Sequence, residues 1–397
     1  MSEFIVRPAG PLHGTFPVGG AKNSALKLMV ACTLAEGRYV LHSVPEISDV
    51  THMCGVLHAV GLTTERRPDG ALEIHRGPQI VPEAPYELVE LMRASTALIG
   101  PLLAATGRAR VALPGGDDFG TRPIDMHLRG LEALGATFEL DHGVVEGRVD
   151  QLVGADVHFE YPSVGATENV LMAAVLADGH TTIHNAAREP EIADLAAFLN
   201  RMGAQVLGAG SQTIEIDGVG ALRAVEHTVI PDRIEAATVL AALGVAGGEI
   251  TLSNVRHDHL DMLMEKFGHT GVRVAPEADG VWAMATGRRR ATNVATLPYP
   301  GLATDYLPLL VAMLTVADGT SYATENVFAG RFRYVGELAR LGADMHVEGH
   351  HLVIKGVDRL SGAPVRAADI RAGAALVVAA LGADGETVIH DAHHVDR

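Results

Sequence analysis

Ala177-Asp178-Gly179-His180-Thr181-Thr182-Ile183-His184-Asn185-Ala186 reads as a helix end, a glycine, a β-rich run and a turn. An apolar, helix-like run precedes it, and the glycine suits the left-handed position that closes a helix. The β-branched Thr181, Thr182 and Ile183 then predict a strand. The same arrangement recurs around Gly37, Gly107, Gly248, Gly319 and Gly385, at intervals of about 70 residues. Beyond it comes a second helix with a Gly-Ala-like stop, as in FLNRMGAQV (198–206), GELARLGADM (336–345) and GLEALGATFEL (130–140). Short alternating strands follow, as in SQTIEIDGV (211–219) and HHLVIKGV (350–357). Each unit is therefore β-α-β-α-β-β, and the chain is an α/β protein of six such repeats. A ring of six and two clusters of three both accommodate that count. The sixth repeat reaches Asp396-Arg397 where the others begin their second helix, so it is expected to lack a helix and a strand pair.

The chain has 397 residues, enough for two domains with their own cores. A net charge of −17 argues against a partner bound through nucleic-acid phosphates. It also gives weight to the few cations in glycine-rich loops, which an anionic ligand would need locally. No apolar run reaches the roughly 18 residues of a membrane span, and Met1-Ser2-Glu3-Phe4 lacks a secretory pattern. The expectation is a cytoplasmic protein. Cys32 and Cys54 both lie in apolar, helix-like sequence and read as structural thiols.

The helix that opens each unit starts with a polar cluster: GGAKNSAL (19–26), ELMRAST (90–96), SVGATEN (163–169), PDRIEAA (231–237), LATDYLP (302–308) and AADIRAG (367–373). These place Lys22, Arg93, Glu168, Arg233, Glu235, Asp305 and Arg371 at or near helix N-termini. Glu168 and Glu235 read as capping or structural residues. Lys22 and Arg93 do not fit that role, because a cation at a helix start opposes the helix dipole unless an anion sits there. Two loops, 113–123 with Asp117, Asp118 and Arg122, and 325–331 with Arg331, add charge to glycine-rich sequence. On composition alone each is a solvated turn. No nucleotide fingerprint and no metal-ligand spacing occurs, so neither a cofactor nor a metal is expected.

Together GGAKNSALKLMVACTLAEG, LPGGDDFGTRPIDMHLRGLEALGA, PSVGATENVLMAA, NAAREPEIADLAAFLNRMGA, NVATLPYPGLATDY and IHDAHHVDR resemble the UDP-N-acetylglucosamine 1-carboxyvinyltransferase family of the enolpyruvyl transferase superfamily. The match runs from Pro17 to Arg397. The resemblance implies a two-domain inside-out α/β barrel with the active site in the cleft. One domain would hold residues 1–20 and 231–397, the other 21–230 with a mobile catalytic loop at 113–123.

It further implies phosphoenolpyruvate and a uridine nucleotide as substrates, without cofactor or metal. Lys22 and Asn23 would contact phosphoenolpyruvate, Arg331, Arg371 and Arg397 would clamp it, and Asp369 would stand beside its methylene carbon. Arg93 would face the diphosphate or the same anionic centre, and Arg122 would bind the phosphate. Pro123, Ile124 and Asp125 would continue from Arg122 along the nucleotide, with the backbone of Ser163, Val164 and Gly165. Asp305 would meet the acceptor hydroxyl as its base, near the Val327 backbone. Asp117 stands where most members have the cysteine that fosfomycin alkylates, so a proton-donating aspartate and fosfomycin resistance are implied; Asp118 could share that proton. Ala329-Gly330, Ala303, Leu307 and Tyr161 depart from the usual residues and leave room for another acceptor, such as UMP in nucleoside-antibiotic synthesis.

Overall fold

All six marker glycines adopt positive φ: 132° at Gly37, 73° at Gly107, 95° at Gly179, 114° at Gly248, 105° at Gly319 and 91° at Gly385. A Cβ is disfavoured in that region, which is the physical reason glycine returns at this point of every repeat. Six residues on, Ser43, Asn185, Asn254 and Asp391 turn the chain again with φ between 54° and 58°. Short polar side chains bear that conformation best.

A computed structural model describes residues 2–90, 92–113, 123–328 and 330–397. The helices run α1 (Lys22–Ala31), α2 (Ser48–Ala59), α3 (Tyr86–Val89), α4 (Ile99–Thr106), α5 (Asp125–Ala133), α6 (Val164–Ala174), α7 (Pro190–Met202), α8 (Arg233–Ala246), α9 (Asp261–Thr270), α10 (Leu307–Leu314), α11 (Val335–Arg340) and α12 (Ile370–Ala380). Those that open the repeats are apolar on most sides, and every residue of α10 is buried. Such a helix belongs inside. α4 packs on α6, and α8, α10 and α12 pack on one another.

Chain contacts divide the described residues into a unit of 2–19 with 231–397 and a unit of 20–113 with 123–230. Each has its own apolar core. Five open four-stranded sheets repeat one pattern, and no sheet among the described residues closes into a barrel. In the sheet of Asp156–His158, His180–His184, Thr213–Asp217 and Gln205–Leu207, the first pair is parallel and the others antiparallel. Alternating burial shows that one face of these strands meets the helices. The sixth sheet pairs Thr387–His390 with Pro364–Arg366 in parallel and with Glu3–Val6 antiparallel. The first strand therefore takes the place that a hairpin strand fills in the other repeats.

Two further strands pair outside their own repeat. Leu12–Pro17 leads into α1 but pairs with Gly248–Ser253, while Glu226–Thr228 leads into α8 but pairs with Gly37–His42. At the chain crossings the Asp232 N–H donates to Gly19 O (2.9 Å) and the Ala21 N–H to Ile230 O (2.7 Å).

Helix contact depends on Gly100. A Cβ there would lie 2.2 Å from the Asn169 carbonyl oxygen of α6. Gly100→Ala is expected to force α4 and α6 apart and lower unfolding free energy by about 1–3 kcal/mol, read by urea denaturation. An unchanged midpoint would contradict this.

Candidate active site

The charged residues of the 231–397 unit gather where α10 and α12 begin. Thr304–Tyr306 forms a short 3₁₀ turn ahead of α10, with Asp305 partly exposed. Arg331 Nη2 donates to Asp305 Oδ1 at 2.6 Å, and Arg371 Nη2 lies 3.0 Å from Asp305 Oδ2. Both carboxylate oxygens thus face guanidinium groups. Arg331 is only 3% exposed. Burial works against its charge, yet Asp305, Asp369 and Glu325 hold it more firmly protonated than an ordinary arginine. Asp369 caps α12 through Oδ1, accepting the Arg371 and Ala372 N–H groups at 2.8 and 2.9 Å. It therefore fixes the helix start that carries Arg371.

Glu325 organises the loop leading to Arg331. Its Oε1 accepts from Thr296 Oγ1 (2.8 Å), Val327 N–H (2.7 Å) and Phe328 N–H (3.1 Å). Its Oε2 accepts from Thr304 Oγ1 at 2.7 Å, and that hydroxyl in turn accepts from Arg331 Nη1 at 2.8 Å. Val395 packs against Gly373 of α12, where a Cβ would come within 2.6 Å of Val395 Cγ2. This anchors the chain two residues before Arg397, which is half-buried.

In the 20–230 unit, α1 begins without a side-chain cap and without an acidic residue in its first turn. Its first-turn N–H groups therefore stand beside Lys22 and Asn23 as an anion-directed set. Lys22 Nζ donates to Asp49 Oδ2 at 3.0 Å, and Asp49 is 1% exposed. Arg93 opens a 3₁₀ turn over 93–98, and its Nη2 donates to the Pro123 carbonyl at 3.4 Å. Pro123, Ile124 and Asp125 lead directly into α5, with Asp125 its first residue. Ser163 caps α6, its Oγ accepting the Ala166 N–H at 3.3 Å, and its own N–H donates to Tyr161 O. The Val164 and Gly165 N–H groups remain without an acceptor inside the helix.

Glu168 and Glu235 are not caps; Ser163 and Asp232 hold those positions. Glu168, 1% exposed, lies 2.8 Å from Lys27 Nζ; burial raises its pKa and Lys27 opposes the rise. Glu235 accepts the Gly19 N–H at 2.8 Å, at one chain crossing. Burial raises the pKa of both Cys32 and Cys54, leaving them poor nucleophiles. Asp117, Asp118 and Arg122 lie outside the described residues.

Asp305, Arg331, Arg371 and Asp369 are brought together as one cluster, with Val327 tied to it through Glu325. Lys22 and Asn23 share the α1 start, while Arg93 meets Pro123. Sequence reasoning missed Asp49, Thr304 and Glu325. Thr304 and Glu325 were legible only as neighbours of Asp305 and Arg331, and nothing local marked Asp49.

The family model for EPSP synthase (3-phosphoshikimate 1-carboxyvinyltransferase) matches residues 6–397, and the chain belongs to that family of enolpyruvyl transferases. Within it the chain stands with relatives named UDP-N-acetylglucosamine 1-carboxyvinyltransferase. It is 50% identical to that of Mycobacterium tuberculosis, across 100% of this chain and 94% of the relative. It is 47% identical to one from Caldanaerobacter subterraneus subsp. tengcongensis, across 100% and 95%. Two solved structures share the fold. The enolpyruvyl transferase NikO from Streptomyces tendae superposes with a TM-score of 0.89 at 24% identity, covering 99% of this chain and 93% of that one. EPSP synthase from Acinetobacter baumannii gives 0.75 at 19% identity, covering 99% and 95%.

Proposed function

We propose that this enzyme transfers the enolpyruvyl group of phosphoenolpyruvate to the 3-hydroxyl of UDP-N-acetylglucosamine, releasing phosphate. That is the first committed step of peptidoglycan precursor synthesis, placed here in the cytoplasm. The observation that carries the chemistry is Asp305 bracketed by Arg331 and Arg371. The identity of 47–50% to relatives named for this acceptor favours it over UMP.

Protonation of C3 makes C2 of phosphoenolpyruvate electrophilic. The acceptor hydroxyl loses its proton as its oxygen bonds to C2, giving a tetrahedral ketal. Loss of the C3 proton and of phosphate then leaves the enolpyruvyl ether. A substrate with about three negative charges calls for several fixed cations where charge moves to the leaving phosphate. Arg331, Arg371 and Arg397 serve that purpose, with Lys22 and Arg122. An incoming carboxylate or phosphate competes with Asp305 for the two guanidinium groups. Asp305, so released, accepts the hydroxyl proton, while Asp117 donates to the methylene carbon with Asp369 beside it. Pro123, Ile124 and Asp125 and the 163–165 turn hold the nucleotide, assisted by Arg93.

The test is phosphate release from phosphoenolpyruvate with UDP-N-acetylglucosamine, UMP or shikimate 3-phosphate as acceptor. Release with UDP-N-acetylglucosamine is expected. Release with UMP alone would overturn the acceptor assignment, and no release with any would indicate a non-catalytic binding protein.

A further inference from the structure

Arg331 is held at two points by different means. Nη2 donates to Asp305 Oδ1 at 2.6 Å, while Nη1 donates to Thr304 Oγ1 at 2.8 Å. That hydroxyl has one proton, which goes to Glu325 Oε2 at 2.7 Å. Its direction is fixed from both sides, because a guanidinium only donates and an ionised carboxylate only accepts. Glu325 Oε1 takes Thr296 Oγ1 and the Val327 and Phe328 N–H groups, so both oxygens of the carboxylate are engaged.

The two points differ in access. Glu325 is 1% exposed, whereas the Asp305 side chain is 23% exposed. An anion arriving from solvent therefore meets the Asp305 end of the guanidinium and not the Glu325 end. Burial works against the Arg331 charge, and Asp305, Asp369 and Glu325 sustain it. Once an anion has taken the place of Asp305, Asp369 and Glu325 remain as counter-charges supplied by the protein.

We propose that Thr304 and Glu325 are positioning residues for phosphoenolpyruvate, anchoring Nη1 of Arg331 throughout so that the Nη2 end alone exchanges Asp305 for the substrate anion. This rests on the reading that Arg331 binds phosphoenolpyruvate. A guanidinium is planar and rigid, so holding one terminal nitrogen sets the direction in which the other points. Without the anchor the side chain would have to be ordered at each binding event, and affinity would fall by that cost.

Steady-state kinetics and a crystal structure with phosphoenolpyruvate test this. Thr304→Val keeps the shape of the side chain and removes the hydroxyl. It is expected to raise the KM for phosphoenolpyruvate about tenfold or more. The kcat and the KM for UDP-N-acetylglucosamine should hold, as they do when uniform binding of one substrate is lost. Thr304→Ser restores the hydroxyl and is expected to recover most of the lost affinity. Glu325→Gln can give its amide oxygen to the three donors around Oε1, but its NH₂ group then faces Thr304 Oγ1 and reverses that bond; the same KM should rise. In the wild type with phosphoenolpyruvate bound, Nη1 should still lie on Thr304 Oγ1 and Nη2 should have turned from Asp305 to the substrate; this arm needs no variant to fold. An unchanged phosphoenolpyruvate KM in Thr304→Val, an equal loss for both substrates, no recovery in Thr304→Ser, or an Nη1 that leaves Thr304 on binding would each overturn the proposal. Phosphoenolpyruvate bound away from Arg331 would overturn the reading of Arg331 itself, and this inference with it.

Discussion

Asp305→Asn is expected to lower kcat by about 10²–10⁴-fold, the usual contribution of a positioned general base. Asparagine preserves shape and can still accept a guanidinium N–H, but it carries no charge and takes no proton. Two effects separate this from simple disruption. The KM for phosphoenolpyruvate should hold or fall, because the substrate anion no longer competes with a carboxylate for Arg331 and Arg371. Thermal stability should fall too, because Arg331 is 3% exposed and loses its closest counter-charge. Phosphate or phosphoenolpyruvate, by replacing that charge, should then raise the melting temperature of the variant more than that of the wild type. The measurements are steady-state kinetics and a melting curve with and without ligand. A variant with wild-type kcat, or one whose phosphoenolpyruvate KM rises steeply while kcat holds, would remove Asp305 from the role of base.

The glycine rhythm was legible because a positive φ leaves few alternatives to glycine, and six glycines obey that rule. Lys22 and Arg93 stood out for a related reason: cations at helix starts oppose the helix dipole. The pairing of Glu3–Val6 with Thr387–His390 was not visible, because strands joined across nearly the whole chain leave no local periodicity. Nor was Asp49 visible. Nothing in its own segment marks a carboxylate that becomes 1% exposed by folding over Lys22. Glu325 shows the same limit, since its meaning lies in Thr296, Thr304 and two N–H groups that only the fold assembles.

The wild type is expected to withstand fosfomycin, and Asp117→Cys is expected to be irreversibly inactivated by it. The epoxide is opened by a nucleophile, and a thiol near pKa 8.5 supplies a fraction of reactive thiolate at neutral pH. A carboxylate is a much weaker nucleophile toward the same carbon, although an aspartate in its protonated form can donate a proton to phosphoenolpyruvate. The wild type should keep its phosphate-release rate at fosfomycin concentrations that abolish that of the variant, with a single covalent adduct in the variant's mass spectrum. Asp118→Cys is the control for position: an adduct there and not at 117 would transfer the donor role to Asp118. Comparing Asp117→Asn with Asp118→Asn assigns the proton independently, because amides cannot supply it. Inhibition of the wild type at the concentration that inactivates Asp117→Cys would show that the carboxylate does not protect, and that the assigned residue is wrong.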